Sequence, residues 1–224
     1  MKVSFGTRFV DLLEDGDRIC VGLAEGKSFE PKSREWWADI LGRNMLDEPL
    51  AVVDVGAYSG VYAMAAAQLG YKAFAIEALP QNMQRLKTNV AFNRAEGWGE
   101  IVTFEAAASD RDGEGEFLYN SGVPFTTGGS LIPDKKERTH LKVKVRMVDT
   151  LIPADAWITA MKIDVERGEA AVLRGARKTI DRCHPAILLE ILDLEWLLEV
   201  EAAIPEYRRV ANIDRRNFIY QWKG

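Results

Sequence analysis

From residue 50 onward the chain alternates two hydrophobic patterns. "LAVVDVG" (50–56), "KAFAIEA" (72–78), "IVTFEAAAS" (101–109), "ITAMKIDVE" (158–166) and "AILLEI" (186–191) are short and almost continuously apolar, as strands buried on both faces are. Between them lie segments of helical period. One is alanine-rich, from Ser59 to Leu69, and stops before Gly70. A second opens at Pro80 and repeats Met83, Leu86 and Val90; a third runs from Gly168 to Asp181 with Val172, Ala176 and Ile180 on one face. "DLEWLLEVEAAI" (193–204) is a fourth. Strand and helix in alternation predict a parallel sheet with helical crossovers. Turn formers over residues 110–133, followed by the strict alternation of "LKVKVRM" (141–147), predict a β insertion in place of the third crossover. "RRVANID" (208–214) and "NFIYQW" (217–222) predict a closing antiparallel hairpin. Ahead of residue 50, Phe9–Leu13 and Ile19–Leu23 flank "EDGD" as a second expected hairpin, and "PKSREWWADIL" (31–41) reads as a helix opened by Pro31. The expected fold is one doubly wound α/β domain over residues 1–224, with 1–49 as a cap and 50–224 as the core.

Ligands of open parallel sheets sit at the carboxyl ends of the strands, where "VVDVGAYSG" (52–60) turns from strand to helix. Its glycine spacing, Gly56-x-x-x-Gly60, is not the Gly-x-Gly-x-x-Gly of a dinucleotide loop, and it lacks the lysine of a phosphate loop. Asp54 would repel a polyphosphate and suits an ammonium group. S-adenosylmethionine has an amino group, a carboxylate and a sulfonium but no phosphate. It fits a cradle of Asp54, Gly56, Ala57, Ser59 and Gly60, with its carboxylate toward the helix N-terminus. A plain tight turn with Asp54 as a local cap is the alternative. Glu77, with Ala78 after it, ends the second strand 77 − 54 = 23 residues on. Its carboxylate suits two ribose hydroxyls, a feature that nicotinamide proteins share. Ala107, Ser109 and Asp110, at the end of the third strand, are the candidates beside an adenine.

Composition narrows the field. The 224 residues carry a formal net charge of −5 and 47% hydrophobic residues, which suits one globular domain and gives no global grip on nucleic acid or anionic lipid. Two cysteines and two histidines are too few for a disulfide framework or a structural zinc site. With neither a signal-peptide pattern nor a membrane-length apolar run, a cytoplasmic protein is expected.

Four segments in order resemble the FkbM-type family of class I S-adenosylmethionine-dependent methyltransferases. They are "VVDVGAYSG", "ASDRDGEGEF" (108–117), "MKIDVERGEAAVLRGA" (161–176) and "AILLEI", together spanning about residues 50 to 191. Tyr58 stands where that family more often has asparagine, and Arg167 where it usually has glycine. The resemblance implies a Rossmann-like fold, S-adenosylmethionine as cofactor, and methyl transfer, usually to an oxygen of a small-molecule or sugar-like acceptor.

A hydroxyl acceptor must lose its proton to a side chain or a metal-bound group. The fourth parallel strand should lie beside the first, and its tip carries Lys162, Asp164 and Glu166, two residues apart and so on one face of a regular strand. Glu190 ends the fifth strand. Three roles are open. Asp164 or Glu166 is a general base. Alternatively, Asp164, Glu166 and Glu190 hold a Mg2+ ion. In the third, Glu166 caps the next helix and Asp164 pairs with Lys162. Arg167 is a candidate for an acidic acceptor, and Phe125 and Leu131, in "NSGVPFTTGGSLIP" (120–133), for a lid or acceptor wall. Trp36 and Trp37 are candidates for a second wall. His140 reads as a surface residue, His184 and Cys183 as structural, and the basic run from Lys135 to Arg146 as the wet face of a strand, with a local site for an anionic acceptor or RNA as its alternative. The competing functions are an inactive cofactor-binding module, an N-methyltransferase and, less well matched by the glycine spacing, a nicotinamide enzyme.

Overall fold

A computed structural model describes residues 1–14, 17–43, 50–122, 128–133, 138–193 and 195–224. A hairpin of β1 (Lys2–Phe5) and β2 (Arg8–Asp11) precedes α1 (Arg18–Ala24) and α2 (Pro31–Arg43). Then follow β3 (Leu50–Val55), α3 (Val61–Ala67), β4 (Lys72–Glu77), α4 (Pro80–Asn93) and β5 (Ile101–Glu105). The insertion contains β6 (Ala107–Ala108), β7 (Gly113–Tyr119) and β8 (Thr139–Arg146), and α5 (Val148–Leu151) leads back to the sheet. β9 (Trp157–Ile163), α6 (Glu169–Gly175), α7 (Arg177–Cys183), β10 (Ala186–Glu190), α8 (Glu195–Ala203), β11 (Tyr207–Ile213) and β12 (Asn217–Trp222) complete the chain.

The main sheet has the order β11-β12-β10-β9-β3-β4-β5, parallel except for the β11–β12 edge. It is the expected α/β fold with an antiparallel C-terminal edge. Strand alternation divides the core. Val53, Val55, Phe74, Ile76, Met161 and Ile163 pack on one face with α6, α7 and α8. On the other face the sheet offers small residues, Ala73, Ala75 and Ala160, under α3 and the N-terminal elements. That room admits Trp37, which is fully buried and donates its Nε1–H to the Tyr62 carbonyl at 3.2 Å.

Four local readings are corrected. Ile19–Leu23 is helical, because the Asp17 carboxylate accepts from the Ile19 N–H at 2.7 Å and starts a helix. The hairpin lies earlier, with Gly6 at φ 59 in its turn. The third strand splits, its Ala107–Ala108 end joining a separate sheet of order β6-β8-β7. The helix after residue 168 breaks at Ala176, and Gly175 abuts the chain so closely that a Cβ would lie 1.9 Å from the Ser109 carbonyl oxygen. Among the described residues no helix is long and apolar enough to cross a membrane.

Candidate functional site

A cavity of about 1150 Å³ opens at the carboxyl ends of β3, β4, β9 and β10. The strand period of two puts Asp54 on the face of Val52, Lys162 on that of Ala160, and Glu190 on that of Leu188. Register pairs Asp54 with Lys162 and Lys162 with Leu188, so three charged side chains leave the same face of neighbouring strands.

At one end of the cavity the β3–α3 turn is drawn tight. The N–H groups of Gly56 and Ala57 both donate to the Ile76 carbonyl, at 2.9 and 3.0 Å. Gly56 has φ 75, and a Cβ there would meet the Asp164 carbonyl oxygen at 1.8 Å, so only glycine fits. The Glu77 carboxylate holds the turn from the next strand, accepting from the N–H groups of Tyr58 (2.8 Å) and Leu79 (2.9 Å). Burial raises its pKa above the usual range while these bonds pull it down. Asp54, 2% exposed, accepts the Ala63 N–H at 3.0 Å and so does cap α3. Burial pushes its pKa up to about 7 against the pull of Lys162. The Ser59 hydroxyl is buried with no hydrogen-bond partner among the described residues. Tyr58, at φ 50, is tied to the N-terminal segment. Its hydroxyl donates to Asp17 at 3.3 Å, and the Arg85 guanidinium lies 5.7 Å from its ring centroid.

The other end gathers charge. The Lys162 ammonium, 2% exposed, lies 3.3 Å from an Asp164 carboxylate oxygen and 5.5 Å from the Tyr62 ring centroid. It makes no hydrogen bond among the described residues. One carboxylate oxygen from each of Glu30, Asp164 and Glu190 lies within 4.8 Å of the other two. Glu30 reaches them from the loop before α2, oriented by the Tyr62 hydroxyl (2.6 Å) and the Asn217 amide (3.3 Å). Asp164, by its charge first and then with burial, pushes the Glu190 carboxyl up to about 9, so this pair holds a proton at neutral pH. Burial lowers the Lys162 pKa, but Asp164, Glu30, Glu190 and Asp54 more than offset it and leave the amine firmly protonated. Burial, then Asp164, raises Glu166 to about 7.

Residues 54–219 match the model of the FkbM methyltransferase domain. The chain belongs to this family. Three solved methyltransferase structures share the fold. The FkbM methyltransferase of Methylobacillus flagellatus KT is 21% identical with a TM-score of 0.50, over 80% of this chain and 45% of that one. The ribosomal protein L11 methylase of Lactobacillus delbrueckii subsp. bulgaricus is 14% identical with a TM-score of 0.53, over 86% and 79%. The bifunctional kinase-methyltransferase WbdD is 14% identical with a TM-score of 0.54, over 95% and 43%. The chain therefore spans less than half the length of the first and third of these. No curated protein sequence matches it.

Of the residues singled out from this FkbM-family sequence, Asp54, Gly56, Ala57, Ser59, Glu77, Ala78, Ala107, Ser109, Leu131, Lys162, Asp164, Glu166, Arg167 and Glu190 all line the cavity. Gly60, at φ 81, starts α3 behind the turn. Asp110 turns away and pairs with Arg174 at 2.9 Å. Phe125 lies outside the described residues. Glu166 reaches the cavity through a left-handed backbone (φ 55) after the strand has ended, not by strand alternation. The carboxylate that bonds this turn is Glu169, which accepts from the Arg167 N–H at 3.1 Å and which burial raises to about 7. Trp36 and Trp37 do not line the cavity, and its N-terminal wall is made by Ile19, Leu23, Phe29 and Glu30. His140 pairs with Glu116 at 3.0 Å on the exposed face of β8, and His184 stacks on Trp222 at 3.9 Å. Lys142 likewise pairs with Glu114 across the β7–β8 ladder. Sequence reasoning missed Glu30, Tyr62, Arg138 and Arg216, which reach the cavity from a loop, a helix and two segments outside the strand tips. Of these only Arg138 carried a signal, as a member of the basic run.

Proposed function

We propose that this chain is an S-adenosylmethionine-dependent O-methyltransferase acting on a small-molecule hydroxyl. The observation that carries the reading is the contact between the two ends of the cavity. The Gly56 turn rests on the Asp164 backbone, so a cofactor cradled by the turn lies beside the Lys162–Asp164 pair.

The residues present fit S-adenosylmethionine. Asp54 and Glu77 are acceptors for an amino group and ribose hydroxyls, and the buried Ser59 hydroxyl has capacity for one more polar contact. Ala78 and Ala107 leave flat space beyond Glu77, where Ser109 supplies a polar edge. When bound, the cofactor supplies an electrophilic methyl group on a sulfonium, an intrinsically good leaving group.

The chain's own task is alignment and proton removal. An acceptor hydroxyl held against Asp164 would give its proton to that carboxylate, while S-adenosylmethionine in the turn would supply the methyl group to the oxygen, its S–CH3 bond breaking to leave the neutral thioether S-adenosylhomocysteine. Lys162 donates to the acceptor oxygen and holds it in line, and its ammonium balances the gathered carboxylates. The Glu190 carboxyl, pushed up by the charge of Asp164 and by burial, keeps a proton at the pair. Glu30 and Glu166 are positioned to accept from further hydroxyls. Mg2+ bound by Glu30, Asp164 and Glu190 is the alternative route to an acidified hydroxyl.

Release of S-adenosylhomocysteine from S-adenosylmethionine, assayed over a panel of hydroxylated and amine acceptors with and without EDTA, tests this. Turnover on hydroxyl acceptors that survives EDTA and falls in Asp164→Asn is expected. Turnover on amines alone, or none in the presence of tight cofactor binding, contradicts it, and loss in EDTA transfers the proton step to a metal.

A further inference from the structure

We infer that the acceptor carries an anionic group, a carboxylate or a phosphate, and that Arg138, Arg167 and Arg216 bind it at the cavity mouth. The inference rests on the methyltransferase reading above and names the substrate class for that same site.

Three separate segments deliver these arginines: the lead into β8, the β9–α6 turn and the β11–β12 turn. All three line the cavity, and all three act electrostatically on the Glu166 carboxylate. A chain of net charge −5 has thus gathered three guanidinium groups around one opening. Guanidinium is the side-chain group best matched to the paired oxygens of a carboxylate or phosphate.

A Cβ on Gly128 would lie 3.8 Å from Arg138 Nη1 and 3.9 Å from Glu166 Oε1, so residue 128 borders both charged groups at the opening. Arg138 is steadied there by donating to the Gly128 carbonyl at 2.7 Å. Arg167 pairs with Asp193 at 3.9 Å, and Arg216 is exposed in the β11–β12 turn.

The backbone points the same way. Glu166 and Arg167 are consecutive non-glycine residues at φ 55 and 84. A left-handed backbone strains any residue but glycine. Glycine at 167 would remove that strain, so the arginine opposes local stability and is explained by its charge at the opening.

The test titrates the chain, saturated with S-adenosylhomocysteine, with inorganic phosphate, D-glucuronate and D-glucose. Phosphate or glucuronate binds and glucose does not, and the stronger anion identifies the source of the charge. Arg167→Gly and Arg216→Ala each weaken that anion at least about fivefold while S-adenosylhomocysteine affinity is kept and the Arg167→Gly melting midpoint holds or rises. Binding of neither anion, anion affinity unchanged in both variants, or a lower midpoint for Arg167→Gly overturns the inference. Retained S-adenosylhomocysteine binding in any of those cases leaves the methyltransferase reading standing. A wild-type chain that fails to bind S-adenosylhomocysteine overturns both.

Discussion

Gly56 and Asp164 meet backbone to backbone: a methyl group on the first would lie 1.8 Å from the carbonyl oxygen of the second. The turn proposed to cradle the cofactor is thereby held against the strand tip that carries the proposed base. Gly56→Ala would have to open that contact and also hold alanine at φ 75. We expect it to lower the melting midpoint and to abolish S-adenosylhomocysteine binding, by calorimetry, in whatever fraction folds. Unchanged binding would show that the turn tolerates displacement.

Asp164→Asn separates chemistry from binding. A general base is worth about 10²- to 10⁴-fold in kcat, so with Asp164 in that proposed role the variant should lose that much while S-adenosylhomocysteine affinity stays within about threefold. Lys162→Met should lose turnover too, since it leaves Asp164, Glu30 and Glu190 gathered without their cation. Single-turnover rates for both variants provide the check.

The N-terminal segment should matter to the site as well as to the fold. Asp17 and Arg85 form an ion pair with both side chains no more than 1% exposed, and Asp17 also receives the Tyr58 hydroxyl. Removing one partner of a buried pair costs about 3–5 kcal/mol. Asp17→Ala should show a loss of that order in urea unfolding, together with weaker cofactor affinity as the Tyr58 turn loosens. Tyr58→Phe should reproduce the second effect in small measure without the first.

Stability should fall as pH rises. Asp54, Glu166 and Glu169 are raised by burial to about 7, and Glu190 to about 9 by Asp164 and burial. In the unfolded chain such groups titrate at about 4. Between the two values the folded state keeps protons that the unfolded state has released, so stability contributed below about pH 4 is lost as pH climbs through about 7, and for Glu190 through about 9. The ligand-free chain should melt higher at about pH 5.5 than at about pH 8.5, and Glu190→Gln should flatten the upper part of that decline. A midpoint that climbs over the same range would contradict the assignment.

How far the site was legible follows from where its residues sit. Asp54, Glu77, Lys162 and Glu190 are polar exceptions at the ends of continuous apolar runs, and a buried strand leaves such residues one place to go. The order of the parallel strands followed from the same runs. Glu30 is different. It sits in a polar stretch before Pro31 and becomes part of the site only because α2 packs on the alanine face of the sheet and Tyr62 reaches back to it. Arg216 likewise depends on the β11–β12 hairpin folding beside β10. Ile19–Leu23 has an apolar pattern that suits strand or helix, and Asp17 decided it through a cap. The sequence reading credited Glu166 with strand geometry, whereas the strand ends at Ile163 and a left-handed turn takes over.

Titration calorimetry with S-adenosylhomocysteine and NAD, on the wild-type chain and Glu77→Ala, measures directly what the β3–α3 turn holds. S-adenosylhomocysteine should bind the wild type and NAD should not, and Glu77→Ala should weaken the binding at least about tenfold, the worth of one charge-assisted hydrogen bond or more. Binding of NAD in preference, or a Glu77→Ala affinity equal to wild type, would contradict the cofactor site proposed at this turn.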